Sequence, residues 1–345
     1  MVQPNTSSST SAAAAAQVEA PAVQLEDLTV EFVRRERTVK AVNGVSLTLA
    51  RGEIMTILGE SGSGKSVTLR ALMGLMPDYA RMTGKVSVMG RDVASMTRDE
   101  RAAIRGPVVS MVFQEPMTAL DPVFTIGDQI AEIIMTHEGI DKRSATKRAL
   151  ELLEMVSIPS AARRLKNYPH EMSGGMRQRA MIAMALACRP SVLLADEPTT
   201  ALDVTVQIQI LLLLRQLQAE LGMAVVFVTH DVGVAAEISD RISVMYAGRL
   251  VETGSVTEVL AERRHPYTSG LLSSTVHGGM RGKPLEMIRG QPPNLATLPT
   301  GCAFAPRCDF AIERCHKQDA PNVELGVGRT VRCIRAEPDV RTLTN

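Results

Sequence analysis

Tryptophan is absent from this chain of 345 residues, and aromatic residues make up only 3% of it. So few aromatic side chains argue against a surface that binds nucleic acid by base stacking. The formal net charge is +1, so there is no general electrostatic reason to expect nucleic acid or acidic lipid as the main partner. These two shortages direct the search for a function away from nucleic acids.

Long apolar runs are lacking as well. No stretch approaches the roughly 18 consecutive apolar residues of a membrane-spanning helix, so we expect that the chain does not cross a membrane by itself. The N-terminal residues contain neither a basic region nor a long apolar region, which argues against a secretory signal. We therefore expect a cytosolic, reducing setting, where the five cysteines are metal ligands or free thiols rather than disulfides.

What the chain does contain is a phosphate-binding pattern, Gly59-Glu60-Ser61-Gly62-Ser63-Gly64-Lys65-Ser66, which fits G-x-x-x-x-G-K-[ST]. An apolar strand at 53–58 precedes it and a helical pattern begins at Val67, so strand, loop and helix come in the required order. The loop amides can then face an anion, with Lys65 reaching the β- and γ-phosphates and Ser66 ligating Mg²⁺. A chance match in an ordinary loop would not need this order of elements. The residues predicted to bind nucleotide are Gly59, Glu60, Ser61, Gly62, Ser63, Gly64, Lys65, Ser66 and Val67.

A second pattern, apolar residues followed by two carboxylates, ends the predicted strand 192–197. Taken alone, an Asp-Glu pair at a strand end is most often the start of a solvated loop. After a phosphate loop, with a helix-rich insertion between, it indicates nucleotide hydrolysis. We predict that Asp196 binds Mg²⁺ through water and that Glu197 polarises the attacking water.

Four further motifs suggest a family. The segment Ser173-Gly174-Gly175-Met176-Arg177-Gln178 resembles the signature loop of ATP-binding cassette ATPases, except that Met176 replaces the usual Gln. Gln114 follows a predicted buried strand and lies where that family has its Q-loop. Ala201-Leu202-Asp203 resembles the D-loop of the family, and His230, at the end of another strand, resembles its switch histidine. The resemblance covers residues 23–270.

This resemblance implies an α/β fold: a P-loop NTPase (RecA-like) core with an antiparallel β subdomain, an α-helical subdomain at about 115–175 and an irregular C-terminal extension. Residues 1–22 are expected to form a disordered tail, because Ser, Thr and Ala dominate them and cannot build a core. The cassette domain is then 23–270. The extension is 271–345, where Pro, Gly, Arg and Cys become dense.

The resemblance also implies a mechanism in which two cassettes pack head to tail with two ATP molecules between them. His230 would hold the γ-phosphate, and Gln114 would link Mg²⁺ to the helical subdomain. Phe32 is the candidate for stacking on adenine, although a core Phe would show the same pattern. The residues that would serve the partner's nucleotide are Ser173, Gly174, Gly175 and Asp203.

A narrower resemblance is to the ATPase subunits of dipeptide, oligopeptide and nickel importers, through Phe113–Pro122, His265–Thr268 and Gly301–Cys308. It implies an ATPase that drives peptide import from the cytoplasmic face of the inner (plasma) membrane. The implied partners are a second ATPase subunit, two membrane-spanning permease subunits and, indirectly, an extracytoplasmic binding protein. Nickel, opines and sugars stay open as substrates, because such an ATPase never touches the substrate. Two other classes of cassette protein are the alternatives. Soluble cassette proteins acting on nucleic acid carry paired cassettes or coiled coils, and exporter ATPases are usually fused to membrane spans. The sequence shows neither feature, which favours the importer ATPases.

Four of the five cysteines, Cys302, Cys308, Cys315 and Cys333, lie in the last 44 residues, separated by 5, 6 and 17 residues. Clustering in Pro-rich sequence outside the core favours a metal site, with unrelated thiols as the alternative. Zinc usually prefers a tight Cys-x₂₋₄-Cys pair, which is absent, so looser spacing favours a [4Fe–4S] cluster over Zn²⁺. The family resemblance points the same way. Cys188 lies in an apolar helical pattern and is expected to be a buried thiol.

Overall fold

The structure is a computed structural model, and it describes residues 20–34, 37–274 and 287–337. The predicted tail, 1–22, lies almost wholly outside the described residues. Its end is part of the fold, since Ala22 is buried and its amide donates to the Leu49 carbonyl at 2.8 Å. The first strand follows directly at Val23.

A four-stranded antiparallel sheet covers one side of the fold. Its strands are β1 Val23–Arg34, β2 Arg37–Leu49, β4 Ala80–Val88 and β5 Arg91–Asp92, in the order β2-β1-β4-β5. Alternating apolar residues on β1 and β2 point into the core, as their period-two pattern predicts. The register of β1 shifts near Asp27, whose φ is 49°. Gly84 passes so close that a Cβ there would lie 2.5 Å from the Asp27 carbonyl oxygen, so only glycine fits.

The central sheet has eight strands in the order β11-β12-β10-β9-β3-β8-β7-β6. The pairs β9–β3, β3–β8, β8–β7 and β7–β6 are parallel. The pairs β11–β12, β12–β10 and β10–β9 are antiparallel. Because the carboxyl ends of parallel strands meet at one sheet edge, the loops after β3, β6, β7 and β8 lie side by side. The bounds are β3 Ile54–Leu58, β6 Val109–Val112, β7 Val192–Asp196, β8 Ala224–Thr229, β9 Arg241–Tyr246 and β10 Arg249–Ser255.

Two hydrophobic cores lie on the two faces of this sheet, because alternate residues of each buried strand point to opposite sides. On β3, Ile54 joins the core shared with the long helices, whereas Met55 and Ile57 pack towards the antiparallel sheet. The helices are α1 Lys65–Leu72, α2 Arg98–Ile104, α3 Pro116–Ala119, α4 Ile126–Glu138, α5 Lys142–Met155, α6 Ala161–Arg164, α7 Gly174–Ala185, α8 Val204–Leu221, α9 Val232–Ile238, α10 Val256–Ala261, α11 Pro266–Ser273 and α12 Glu313–Lys317.

The helical insertion between β6 and α7 contains α3 to α6. Its two main helices, α4 and α5, pack against each other and against α7. Thr125 and Asp141 cap their N-termini by accepting backbone N–H groups, which is why each helix begins where it does. None of the helices in 20–34, 37–274 and 287–337 is both long and apolar enough to cross a membrane.

The C-terminal extension is more regular than the sequence indicates. Strands β11 Asn322–Gly326 and β12 Arg329–Arg332 form a hairpin, and Thr330 and Val331 of β12 pair with β10. An edge strand such as β10 leaves backbone groups unpaired, and β12 satisfies them. The composition of the extension could not reveal this, because the pairing partner lies in the cassette and not in the extension.

We predict that Gly301→Ala loosens the extension. A Cβ at Gly301 would lie 2.3 Å from the Cys315 carbonyl oxygen and 2.7 Å from the His316 carbonyl carbon, so backbone must move, at a cost of roughly 1–3 kcal/mol. Hydrogen exchange of amides in 301–337 should speed up. Gly326→Ala is the matched control, because a Cβ there meets nothing within 4 Å. Equal protection in the two variants would contradict the prediction.

Candidate functional site

The phosphate loop runs from the end of β3 to the start of α1, in the predicted order. Its glycines are needed where other chain segments approach: a Cβ on Gly59 would lie 2.2 Å from the Met245 carbonyl oxygen. Gly64 has a φ of 108°, and its Cβ would lie 2.4 Å from the Ala41 carbonyl oxygen. At these two positions only glycine fits, because neighbouring backbone leaves no space for a Cβ. Helix α1 then begins at Lys65.

Lys65 is the most buried charge of the loop, at 4% exposure. Its Nζ donates to the carbonyl oxygens of Gly59 at 2.8 Å and Glu60 at 2.9 Å, and lies 3.9 Å from Oε1 of Glu197. Burial lowers the pKa of Lys65, while Glu197, Asp196 and Glu60 act to raise it. An anionic phosphate beside this ammonium group would restore the environment that its charge needs.

Asp196 and Ser66 meet across the sheet edge. The Ser66 hydroxyl donates to Oδ1 of Asp196 at 2.9 Å, and Asp196 is 5% exposed. Burial raises the pKa of Asp196, against the opposing effect of the Ser66 hydrogen bond. A carboxylate and a hydroxyl so placed are oxygen ligands of the kind that Mg²⁺ prefers, and a cation there would favour the ionised carboxylate. The residues present therefore fit a magnesium ion.

The Glu197 carboxylate lies within hydrogen-bond distance of the other two predicted catalytic side chains, Gln114 and His230. Its Oε2 accepts from Nε2 of Gln114 at 3.4 Å and from the Thr200 hydroxyl at 3.1 Å, and lies 3.1 Å from Nδ1 of His230. Its φ of 45° is a strained value for a non-glycine residue, of a kind that is concentrated at functional sites. The strand ends of β6, β7 and β8 thus bring Gln114, Glu197 and His230 to one place.

These groups line one cavity of about 850 Å³, which is the size of a small-molecule site. The phosphate loop forms its floor, with Gln114, Glu197 and His230 on one side. Phe32 lines another side and also packs against Tyr79, with ring centroids 5.9 Å apart. Leu271, Met287, Ile288 and Leu295 line the cavity from the C-terminal part of the chain, and nothing in the sequence indicated them.

The signature-loop residues lie elsewhere. Ser173 caps α7 by accepting from the Met176 amide at 3.3 Å, and Asp203 caps α8 by accepting from Val206 at 3.0 Å. Together with Gly174 and Gly175 they line a second hollow of about 560 Å³. None of these four lines the cavity that contains Lys65, among the residues that the structure describes. The structure therefore does not bring them to the nucleotide loop of their own chain.

Cys302, Cys308, Cys315 and Cys333 all line one small enclosed cavity inside the extension. Burial raises the pKa of Cys302 and Cys333 and raises that of Cys308 to about 11. Neighbouring cysteines raise the pKa of each of these thiols further. Backbone N–H groups of nearby residues, such as Phe310, donate to the sulfurs and favour the thiolate. Over the described ranges, no three or more His, Cys, Asp and Glu side chains form a group that could hold a metal ion. Cys188, by contrast, is a partly buried free thiol at the end of α7.

Sequence reasoning missed three side chains at the nucleotide loop. Thr200 lies in the same loop as Glu197, so its proximity was readable from the sequence. The Tyr267 hydroxyl accepts from the Glu60 amide at 3.0 Å, and Arg307 donates to both carboxylate oxygens of Glu60. Both lie in segments that carry the resemblance to importer ATPases, but nothing in the sequence placed them at the phosphate loop, which is more than 200 positions away.

Two family models match this chain. The model described as "ABC transporter" matches residues 42–200. The model described as "Oligopeptide/dipeptide transporter, C-terminal region" matches residues 251–315. Together they include the phosphate loop and the part of the extension up to Cys315.

Full-length relatives are similar over nearly the whole chain. A putative peptide import ATP-binding protein of Brucella abortus is 50% identical over 328 residues, which are 91% of this chain and 97% of that protein. The oligopeptide transport ATP-binding protein of Salmonella typhimurium is 46% identical, over 91% of this chain and 93% of that protein. A dipeptide transport ATP-binding protein of Bacillus subtilis is 45% identical, over 90% and 93%.

Among solved structures, a dimeric ATP-binding cassette in a post-hydrolysis state, bound to ADP and Pi, matches with a TM-score of 0.62 at 32% identity. The match covers 68% of this chain and 98% of that one. The unmatched third of this chain is consistent with the length of the tail and the extension.

Proposed function

The chain belongs to the ATP-binding cassette (ABC) family of transporter ATPases, and from this premise we propose that it hydrolyses ATP to drive the import of peptides. The observation that carries the ATPase activity is the convergence of Lys65, Glu197 and His230 on one cavity, with Asp196 hydrogen-bonded to Ser66 of the same cavity. The peptide substrate is supported by relatives of 45–50% identity that are named for peptide, oligopeptide or dipeptide transport. Nickel, opines and sugars are the competing substrates.

In this proposal, the loop from Gly59 to Val67 binds the phosphates of ATP through its amides and through Lys65. Ser66, Asp196 and Gln114 would hold Mg²⁺, which neutralises phosphate charge when it is bound. Glu197 accepts a proton from the attacking water, and its bonds to Thr200 and His230 hold the carboxylate in place. His230 is more than half exposed, so it is free to reach the γ-phosphate.

We place the second half of each ATP site in another cassette. Ser173, Gly174, Gly175 and Asp203 line a hollow of their own at the N-terminus of α7, where backbone amides and the helix dipole favour an anion. A head-to-tail pair would bring this hollow to the partner's nucleotide. The membrane attachment is proposed to be peripheral, at the cytoplasmic face of the inner (plasma) membrane, through two permease subunits that receive substrate from a binding protein.

We predict that Glu197→Gln abolishes turnover but not nucleotide binding. The amide keeps the shape of the side chain and cannot take a proton from water, so the hydrolysis rate should fall by at least about 100-fold. Phosphate release by the purified transporter and binding of labelled ATP measure the two effects. Glu220→Gln, an exposed change on α8, is the control and should leave both unchanged. Turnover near wild type in Glu197→Gln would remove Glu197 from catalysis.

The substrate class is tested by uptake. Cells of the source organism that lack this chain should fail to take up labelled di- and tetrapeptides, and the wild-type chain should restore uptake while Glu197→Gln does not. Labelled nickel and a disaccharide serve as comparison substrates in the same cells. Normal peptide uptake with a defect in nickel or sugar uptake would replace the peptide assignment and leave the ATPase assignment intact.

We also propose that Cys302, Cys308, Cys315 and Cys333 together hold a [4Fe–4S] cluster, with Zn²⁺ as the alternative. The proposal is supported by their shared enclosed cavity and by the N–H groups that face three of the sulfurs. A cation beside buried thiols that disfavour one another's ionisation would favour their thiolate forms. Such a group would tie together an extension whose own hydrophobic clusters are small.

We predict that the protein purified without oxygen is brown and contains about four iron atoms per chain. Cys308→Ser should remove the colour and loosen the extension, whereas Cys188→Ser, a change outside the cavity, should leave the colour unchanged. Iron analysis and visible absorption measure the outcome. Colourless protein with one zinc per chain would favour zinc, and metal-free protein with four titratable thiols in the extension would refute the site.

A further inference from the structure

The C-terminal extension reaches the nucleotide cavity at two separate places. On one side, Ile288 and Leu295 line the same cavity as Phe32 and pack against a hydrophobic cluster that is formed mainly by the cassette and includes Phe304 of the extension. This segment is anchored to the β1–β2 hairpin, because Arg37 donates to the Asn294 side chain at 3.0 Å. Apolar side chains that share a cavity with an aromatic ring suit the flat faces of a purine base.

On the phosphate side, Arg307 holds the phosphate loop. Its two terminal nitrogens donate to the two carboxylate oxygens of Glu60 at 2.8 and 3.1 Å, and the guanidinium is only 6% exposed. The same guanidinium contacts the Tyr246 hydroxyl at 3.3 Å. A buried bidentate pair of this kind fixes position as well as charge.

The consequence for the loop follows from what Glu60 does. Its carbonyl oxygen accepts from Nζ of Lys65, and its amide donates to the Tyr267 hydroxyl. Glu60 is thus held at side chain, carbonyl and amide, and two of the three partners lie C-terminal to β10. Without Arg307, the Glu60 carboxylate would also stand unneutralised at the mouth of a site for a polyanion, which is unfavourable for phosphate.

We propose that the C-terminal extension is part of the nucleotide site of its own chain: Ile288 and Leu295 form a wall of the base pocket, and Arg307 positions the phosphate loop through Glu60. Arg307 is a positioning residue, since it acts on the nucleotide through Glu60. This proposal rests on the nucleotide site described above and not on the transported substrate or on a metal in the extension.

Two probes separate the two roles: a non-hydrolysable ATP analogue with Mg²⁺, and inorganic tripolyphosphate, which lacks the base. Calorimetry on the full chain should show that Ile288→Ala and Leu295→Ala weaken binding of the analogue about threefold to tenfold and leave tripolyphosphate unchanged. Arg307→Gln should weaken both probes, by about tenfold for the analogue. The matched control is Arg289→Gln, which removes an equal charge from an exposed pair with Asp309 and should change neither.

Glu60→Gln tests whether Arg307 acts through Glu60 and breaks the same pair without altering the extension. If Arg307 acts through Glu60, the double variant should bind at least as well as Arg307→Gln alone, because Glu60→Gln breaks no further interaction and removes the carboxylate that Arg307 would otherwise neutralise. Additive losses, or analogue binding within twofold of wild type in Arg307→Gln and Ile288→Ala, would overturn the proposal. Thermal unfolding of each variant without nucleotide separates loss of binding from loss of folding. A wild-type chain that binds neither probe would instead contradict the ATPase itself.

Discussion

The buried ammonium group of Lys65 is the charge on which the rest of the site depends. It is enclosed by the carbonyl groups of its own loop and faces Glu197, and burial disfavours its charged form. The nearby carboxylates Asp196 and Glu197 offset only part of this effect of burial on Lys65. They are also the groups proposed to bind magnesium and to activate water. A phosphate group beside Lys65 would complete this charge balance, so the arrangement of the site suits an anion.

The extension is joined to the cassette by contacts of three kinds. Strand β12 continues the central sheet, Arg307 holds the phosphate loop, and Ile288 lines the cavity. Arg307 directly precedes Cys308, so one short segment contributes both to the thiol cavity and to the loop. The match of a transporter-specific family model to 251–315 therefore falls on residues that contact the nucleotide cavity.

The two hollows of the molecule give a structural reason for the proposed pairing of cassettes. One contains the phosphate loop and the groups for hydrolysis, and the other contains Ser173, Gly175 and Asp203. Because the fold keeps them apart, neither hollow alone surrounds a nucleotide with both sets of residues. Pairing of cassettes is the arrangement in which both sets of residues act on one ligand.

The sequence by itself determined the local chemistry: the strand–loop–helix around Lys65 and the carboxylates that end β7. The family resemblance of these motifs implied that Gln114, Glu197 and His230 act at one site, and the structure shows the parallel strands whose ends bring them together. Tertiary structure alone decided which C-terminal residues reach the site. Glu60 and Arg307 are 247 positions apart, and no periodicity or spacing encodes a contact at that separation. The same holds for β12, whose place beside β10 depends on an edge that another part of the chain creates.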